Sequence, residues 1–360
     1  VGTRALLERF AAWRAAGRPL VLATVVATSG STYSKPGHRI LIAASDEWQG
    51  LVSGGCLEGD LALHAERVRA DGVARVIDYD LRMEAGDVFG LGVGCDGFIR
   101  VLLQRLDPDR GFEPFATLAR HLADGPPAPY LVVTAAHGDL VPGATLVGAP
   151  DGGAALAHDL SPAATGRLLP LLAAAGTRPG PATLPGAGSP GALTGALAPL
   201  PRLLVLGAGP DVPPLVTLAR LLDFDVTVYD HRPGSTARPE LAVADRVVTA
   251  PPGELARHVA LDGVAAAVVM SHHLAADGDY LAALARSAVP AVALLGPRAR
   301  RERLLAGLGP DAAALAGRLR SPAGLDLGHD TPAGIALAIV AELCARLHGR
   351  TGQPLAERAR

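Results

Sequence analysis

The segment Gly54-Gly55-Cys56-Leu57-Glu58-Gly59-Asp60 sets a thiol in a glycine-rich turn and follows it with two carboxylates. Only three cysteines occur in 360 residues. Glycine lets backbone N–H groups converge on a bound anion or cofactor, and a cysteine in such a turn is reachable as a thiolate. A second cysteine lies in Gly92-Val93-Gly94-Cys95-Asp96-Gly97, ahead of an apolar stretch at 98–103. Two cysteines in similar turns of one domain suggest a shared cleft, where Cys56 and Cys95 would ligate a soft metal or hold sulfur. The structural alternative is a strand-to-helix turn that needs glycine and carries a small apolar residue. No histidine cluster completes a four-ligand zinc site. Cys344, beside Leu343 and Leu347 in a terminal helix, is expected in the core.

A second constellation lies in the other half. Gly207-Ala208-Gly209 follows an apolar strand, and Asp230 ends the next one, which is a dinucleotide-binding layout. Val212 stands where the third glycine of that fingerprint belongs, Pro210 and Pro213 stiffen the loop, and Asp211 brings negative charge to the pyrophosphate position. The pattern therefore supports the fold strongly and NAD(P) binding only weakly. His272 and His273 follow a strand at its carboxyl end, where such folds place ligands. Arg298 opens a helix after Gly296 and is placed for an anion, whereas Arg300, Arg301 and Arg303 read as surface charge. Spacing assembles no nucleophile–histidine–carboxylate triad.

The elements that must position these groups follow from periodicity. A helix is expected over 4–16, strands over 20–27, 39–43 and 48–53, and a helix from about 60 to 70 whose first turn carries Glu58 and Asp60. The order helix, strand, Pro-Gly, strand at 4–46, with Pro36-Gly37, is echoed at 113–151 with Pro142-Gly143. Two copies would form neighbouring pieces of one sheet. Residues 174–201 are rich in Ala, Gly, Pro and Thr with almost no charge, which reads as a linker. From 202 onward strands alternate with helices, the mark of a parallel sheet covered on both faces. The expected architecture is an N-terminal mixed α/β domain over 1–173, a linker over 174–201, and a C-terminal Rossmann-like parallel-sheet domain over 202–348.

With 33 basic and 35 acidic residues there is no basic field, so nucleic acid is not an expected partner. No apolar run reaches the roughly 18 residues that span a bilayer. Widely separated cysteines and an opening Val1-Gly2-Thr3-Arg4 unlike a secretory signal point to a reducing cytoplasm.

Taken together, the segments Ser29-Gly30-Ser31, Pro36-Gly37, Ser53-Gly54-Gly55-Cys56-Leu57-Glu58-Gly59 and Gly94-Cys95-Asp96-Gly97 resemble the N-terminal domain of the XdhC/CoxI family. Leu206-Gly207-Ala208-Gly209, Tyr229-Asp230-His231-Arg232-Pro233, Ser271-His272, Leu295-Gly296-Pro297-Arg298 and Gly324-Leu325-Asp326-Leu327-Gly328 resemble that family's Rossmann domain. The resemblance implies a non-catalytic accessory protein that binds molybdenum cofactor, the metal on molybdopterin. It would protect the sulfurated form and deliver it to an apo-molybdenum hydroxylase of the xanthine dehydrogenase type. A cysteine desulfurase as sulfur source and a homodimer are also implied. The cofactor-binding residues carried over are Gly54, Gly55, Cys56, Glu58, Cys95, Asp96, Gly207, Gly209, Asp230, His272 and Arg298. The chain departs from the family at Cys95-Asp96-Gly97, where Cys-Gly-Gly is usual, and at Pro210, where histidine is usual. The competing readings are an NAD(P)-dependent oxidoreductase and a nucleotide-sensing scaffold.

Overall fold

A computed structural model describes residues 2–81 and 97–357, and the chain divides into two compact units, Val1–Pro199 and Leu200–Arg360. The first unit opens with helix α1 (Thr3–Ala15), strands β1 (Leu20–Gly30), β2 (Arg39–Ala44) and β3 (Glu47–Gln49), helix α2 (Glu58–Asp71), and strands β4 (Arg75–Asp80) and β5 (Gly97–Leu106). These strands form one antiparallel sheet in the order β3-β2-β1-β5-β4. The expected strand at 48–53 is therefore shorter and earlier, and residues 50–57 form a loop. Strand β1 is apolar on both faces because both are covered. Val21, Ala23 and Val25 pack beneath Leu61, Ala65 and Val68 of α2, while Leu20, Leu22 and Val26 face the opposite core.

The same fold is then repeated. Helix α3 (Phe115–Ala123), strands β6 (Ala128–Val133), β7 (Thr145–Gly148) and β8 (Ala154–His158), helix α4 (Pro162–Ala173), and strands β9 (Gly180–Thr183) and β10 (Pro190–Leu197) follow in the same sequence of types. Their sheet order, β8-β7-β6-β10-β9, reproduces the first with every strand advanced by five. The hydrogen bonds at the Pro-Gly turns match as well. Gly37 N donates to Val25 O at 2.8 Å and Val25 N to His38 O at 2.9 Å. In the second copy, Gly143 N donates to Val133 O at 2.9 Å and Val133 N to Ala144 O at 2.8 Å. The contacts between copies are reciprocal: a Cβ on Gly37 would meet Pro179 and Tyr130, and one on Gly143 would meet Ala74 and Gln104. Aromatic side chains of α1 and α3 fill the core between the copies, with Phe10 and Phe115 edge to face at 4.8 Å.

The duplication corrects two expectations. The copies form separate sheets, not neighbouring pieces of one. Residues 174–201 are not a linker, because β9 and β10 lie there and β10 pairs with β6 along its length. Their lack of charge reflects burial of Ala192, Leu193 and Leu197, which composition alone does not distinguish from an uncharged loop.

In the second unit, strand β11 (Arg202–Leu206), helix α5 (Val212–Leu221), strand β12 (Asp225–Asp230), the single turn α6 (Pro233–Thr236), strand β13 (Arg246–Thr249), the single turn α7 (Leu255–His258) and strand β14 (Val264–Val269) precede helix α8 (Leu274–Ala285), strand β15 (Val292–Leu294), helix α9 (Arg298–Leu308), strand β16 (Leu319–Arg320) and helix α10 (Pro332–Leu347). All strand pairs are parallel, in the order β13-β12-β11-β14-β15-β16. Helices α5 and α10 cover one face and α8 the other, as expected for a Rossmann-like domain. The order reverses between β11 and β14, which opens a crevice at their carboxyl ends. Gly207 makes the crevice floor possible: its φ is +133°, and a Cβ there would lie 2.5 Å from the O of Met270, just past the end of β14. Cys344 is half-buried against the α5–α10 core, and burial raises its thiol pKa.

Candidate functional site

The internal repeat locates what was added to the scaffold of the first unit. Between β3 and α2 the first copy runs through residues 50–57, whereas the second spans only 159–161 between β8 and α4. Between β4 and β5 it runs through 81–96, whereas the second spans only 184–189 between β9 and β10. The lengthened connections are the ones that hold Cys56 and Cys95. Cys95 and Asp96 lie outside the described residues, but the ends of their connection are placed. Leu81 N donates to Gly97 O at 2.9 Å, and Tyr79 Oη donates to Asp60 Oδ2 at 2.6 Å in the first turn of α2. The β1–β2 loop reaches the same end of the sheet, where Ser34 Oγ donates to Leu51 O at 3.2 Å. A Cβ on Gly97 would lie 2.5 Å from Ser31 O. The β1–β2 loop, the loop before α2 and the two ends of the β4–β5 connection thus meet at one sheet end, where Cys56 is exposed.

Glu58 builds the cysteine loop from beneath. Only 2% of the residue is exposed. Its Oε1 accepts from Val52 N at 2.7 Å and Ser53 N at 2.9 Å. Its Oε2 accepts from Ser53 Oγ at 2.8 Å, Gly55 N at 3.0 Å and Leu57 N at 3.2 Å. Gly54 and Gly55 turn the chain over this carboxylate with φ of +86° and +116°, a region that side chains disfavour. Glu58 was expected to contact cofactor; instead its carboxylate faces inward and positions the loop that presents Cys56. Gly54 and Gly55 are exposed on the outer side.

In the second unit the crevice residues are brought together, but several are already engaged. Asp230 is fully buried. It accepts from Ala208 N at 2.8 Å, from Arg232 N at 2.8 Å, and from the Arg232 guanidinium at 2.9 and 2.7 Å. His272, with a left-handed φ of +60°, holds Nε2 2.8 Å from Asp211 Oδ2 across the mouth of the crevice. His273 instead caps α8, its Nδ1 accepting from Ala276 N at 3.2 Å. Ser271 Oγ donates to the buried Asp277 at 2.5 Å, and Arg300 completes that pair at 2.6 Å. Arg300 is therefore a partner of a buried carboxylate and not the surface charge its spacing suggested. Asp277 was not foreseen; a carboxylate one turn inside a helix after a strand end was its only sequence signal. Arg298 is exposed at the first position of α9. Among the described residues, no group of three or more His, Cys, Asp or Glu could hold a metal, and no helix is long and apolar enough to cross a membrane.

Burial raises the pKa of both Glu58 and Asp230, but their hydrogen bonds outweigh it. Ser53 and Val52 donors bring Glu58 below the usual carboxylate range, and Arg232 with the Ala208 N–H does so for Asp230. A depressed folded-state pKa contributes stability that is complete above the unfolded value, about 4. That contribution disappears as pH falls through the folded-state value. Melting temperature is therefore expected to hold down to about pH 4 and to fall below it. Asp230→Asn should lower the plateau and flatten the acid limb, as read by thermal melts across pH 2–6. An unchanged acid limb in that variant would count against the assignment.

Residues 203–343 match the profile of the XdhC Rossmann domain, and residues 13–80 match that of the XdhC and CoxI family. A probable xanthine dehydrogenase subunit from Bacillus subtilis (strain 168) is 29% identical over 325 residues, covering 90% of this chain and 92% of that protein. The crystal structure of a xanthine dehydrogenase from Bacillus halodurans matches with a TM-score of 0.79 at 27% identity, over 99% of this chain and 98% of that one.

Proposed function

The chain belongs to the XdhC and CoxI family, and from that premise we propose that it is a non-catalytic maturation factor for a molybdenum hydroxylase of the xanthine dehydrogenase type. In this reading it binds molybdenum cofactor at the loop end of the first sheet, shields it, and passes the sulfurated form to the apo-enzyme. The observation that carries the reading is the exposed Cys56 thiol on a loop pinned by a buried carboxylate, beside the connection that holds Cys95. The donor set fits the group: a thiolate is a sulfur donor of the kind that soft metal centres take. When bound, the cofactor supplies the metal and terminal sulfur that the hydroxylase needs. Cys56 would hold that group by its thiol, and Glu58 keeps the loop that presents it in one conformation. A cysteine desulfurase as sulfur donor and a second copy of the chain as dimer partner belong to the same proposal.

Native mass spectrometry of the protein, purified from cells that make the cofactor, tests it. A retained pterin with molybdenum is the expected result. A retained dinucleotide, with no pterin, would replace the proposal by the oxidoreductase reading.

A further inference from the structure

The second unit has the strand order and glycine turn of a dinucleotide-binding domain, yet its crevice does not fit a pyrophosphate. Four features of the same few residues converge on this. A phosphate held by this fold needs free N–H groups at the first turn of the helix after β11. In α5 the N–H of Val212 is already given to Gly209 O at 3.1 Å, and the next two positions, Pro213 and Pro214, have none. The second glycine of the turn normally leaves room for phosphate to approach the backbone. Here a Cβ on Gly209 would lie 2.5 Å from Asp211 Oδ1 and 3.5 Å from the His272 ring, so the protein's own side chains occupy that room. The occupant is an acid, and Asp211 Oδ1 is buried without a hydrogen-bond partner, an acceptor where a phosphate would require donors. Finally, the carboxylate that would receive a ribose hydroxyl, Asp230, has both oxygens engaged by Ala208 and Arg232.

We infer that Asp211 and His272 form a clasp across the crevice that excludes nucleotide phosphates, so that this Rossmann-like domain is not a dinucleotide site. The clasp joins the turn after β11 to the turn after β14, the two sides between which a pyrophosphate would lie. His272 holds it from a left-handed backbone conformation, φ +60°, which few residues other than glycine adopt. Gly207, Gly209 and Asp230, carried over as cofactor contacts, thereby become parts of a closed turn. The inference is independent of what Cys56 binds, because it concerns the second unit alone.

Titration of the full chain with NADH, followed by its fluorescence, and with ADP, followed by calorimetry, tests the clasp. The wild-type protein is expected to show no saturable binding of either probe up to millimolar concentration. Asp211→Ser combined with Pro213→Ala and Pro214→Ala removes the acid and restores two N–H donors. It should bind ADP at least tenfold more tightly than wild type. Asp211→Asn, which keeps the shape and removes the charge, should show a smaller gain in the same direction, and it serves should the triple variant fold poorly. Micromolar NADH binding by the wild-type chain would overturn the inference. So would folded variants that gain no affinity for ADP.

Discussion

Replacing Cys56 by serine is expected to leave both units folded and to cut transfer of sulfurated molybdenum cofactor to an apo-hydroxylase by about tenfold or more, about 1.4 kcal/mol or more per transfer complex. The residue is exposed and makes no packing contribution to the core under α2, so folding has little reason to depend on it. A hydroxyl occupies similar space but stays protonated at neutral pH and is a far weaker metal donor than a thiolate. Reconstitution of a purified apo-hydroxylase with cofactor-loaded wild-type and Cys56→Ser protein, scored by recovered hydroxylase activity and by molybdenum retained on the chain, checks it. Equal retention together with equal activation would show the glycine turn to be merely structural. The same loading experiment with Cys95→Ser asks whether both inserted connections serve one site; a loss comparable to that of Cys56→Ser is expected.

Glu58→Ala should be the most damaging single change in the first unit that removes no apolar surface. It strips the acceptor from the N–H groups of Val52, Ser53, Gly55 and Leu57 and from the Ser53 hydroxyl. Hydrogen bonds to a charged group contribute about 1.5–3 kcal/mol each. They are not additive here, because a released loop can turn its donors to water, so a total loss of about 3 kcal/mol is expected. For a unit of this size that is roughly 6–12 °C in melting temperature. Glu58→Gln should be almost as costly. Each carboxylate oxygen faces two backbone N–H groups, so either orientation of the amide points its NH2 at two donors. In both variants Cys56 should react with a thiol reagent at a changed rate, since the backbone that presents it is no longer held. A Glu58→Gln protein with wild-type melting and wild-type thiol kinetics would remove Glu58 from its positioning role.

Much of the scaffold was legible beforehand because its signals are local. Alternating strands and helices after residue 202 and the Gly207-Ala208-Gly209 turn each reflect backbone preferences that act within a few residues. The echo of Pro36-Gly37 in Pro142-Gly143 was visible for the same reason, since both turns make the same hydrogen bonds. The extent of the repeat was not. In β9 and β10 the residues are small and uncharged, and such a run reads as a loop until β6 is found beside it. Pairing of β10 with β6 joins residues some 60 apart, and no local preference encodes that contact.

The sequence by itself determined which chemistry was available: a thiol in a glycine turn, a second in a glycine-rich segment, a Rossmann-like half, and a charge balance without a basic field. The tertiary structure decided which way each group faces. Glu58 and Asp230 sit at motif positions that suggest ligand contact, yet both carboxylates turn inward and are consumed by backbone N–H groups. Asp211 turns back over Gly209 to meet His272, 61 positions away. Spacing along the chain says which residues can be neighbours. The direction of a carboxylate depends on the donors that surround it: those of Glu58 come from the turn just before it, and that of Ala208 reaches Asp230 from the neighbouring strand end, so each is supplied only once the backbone has folded over the buried charge.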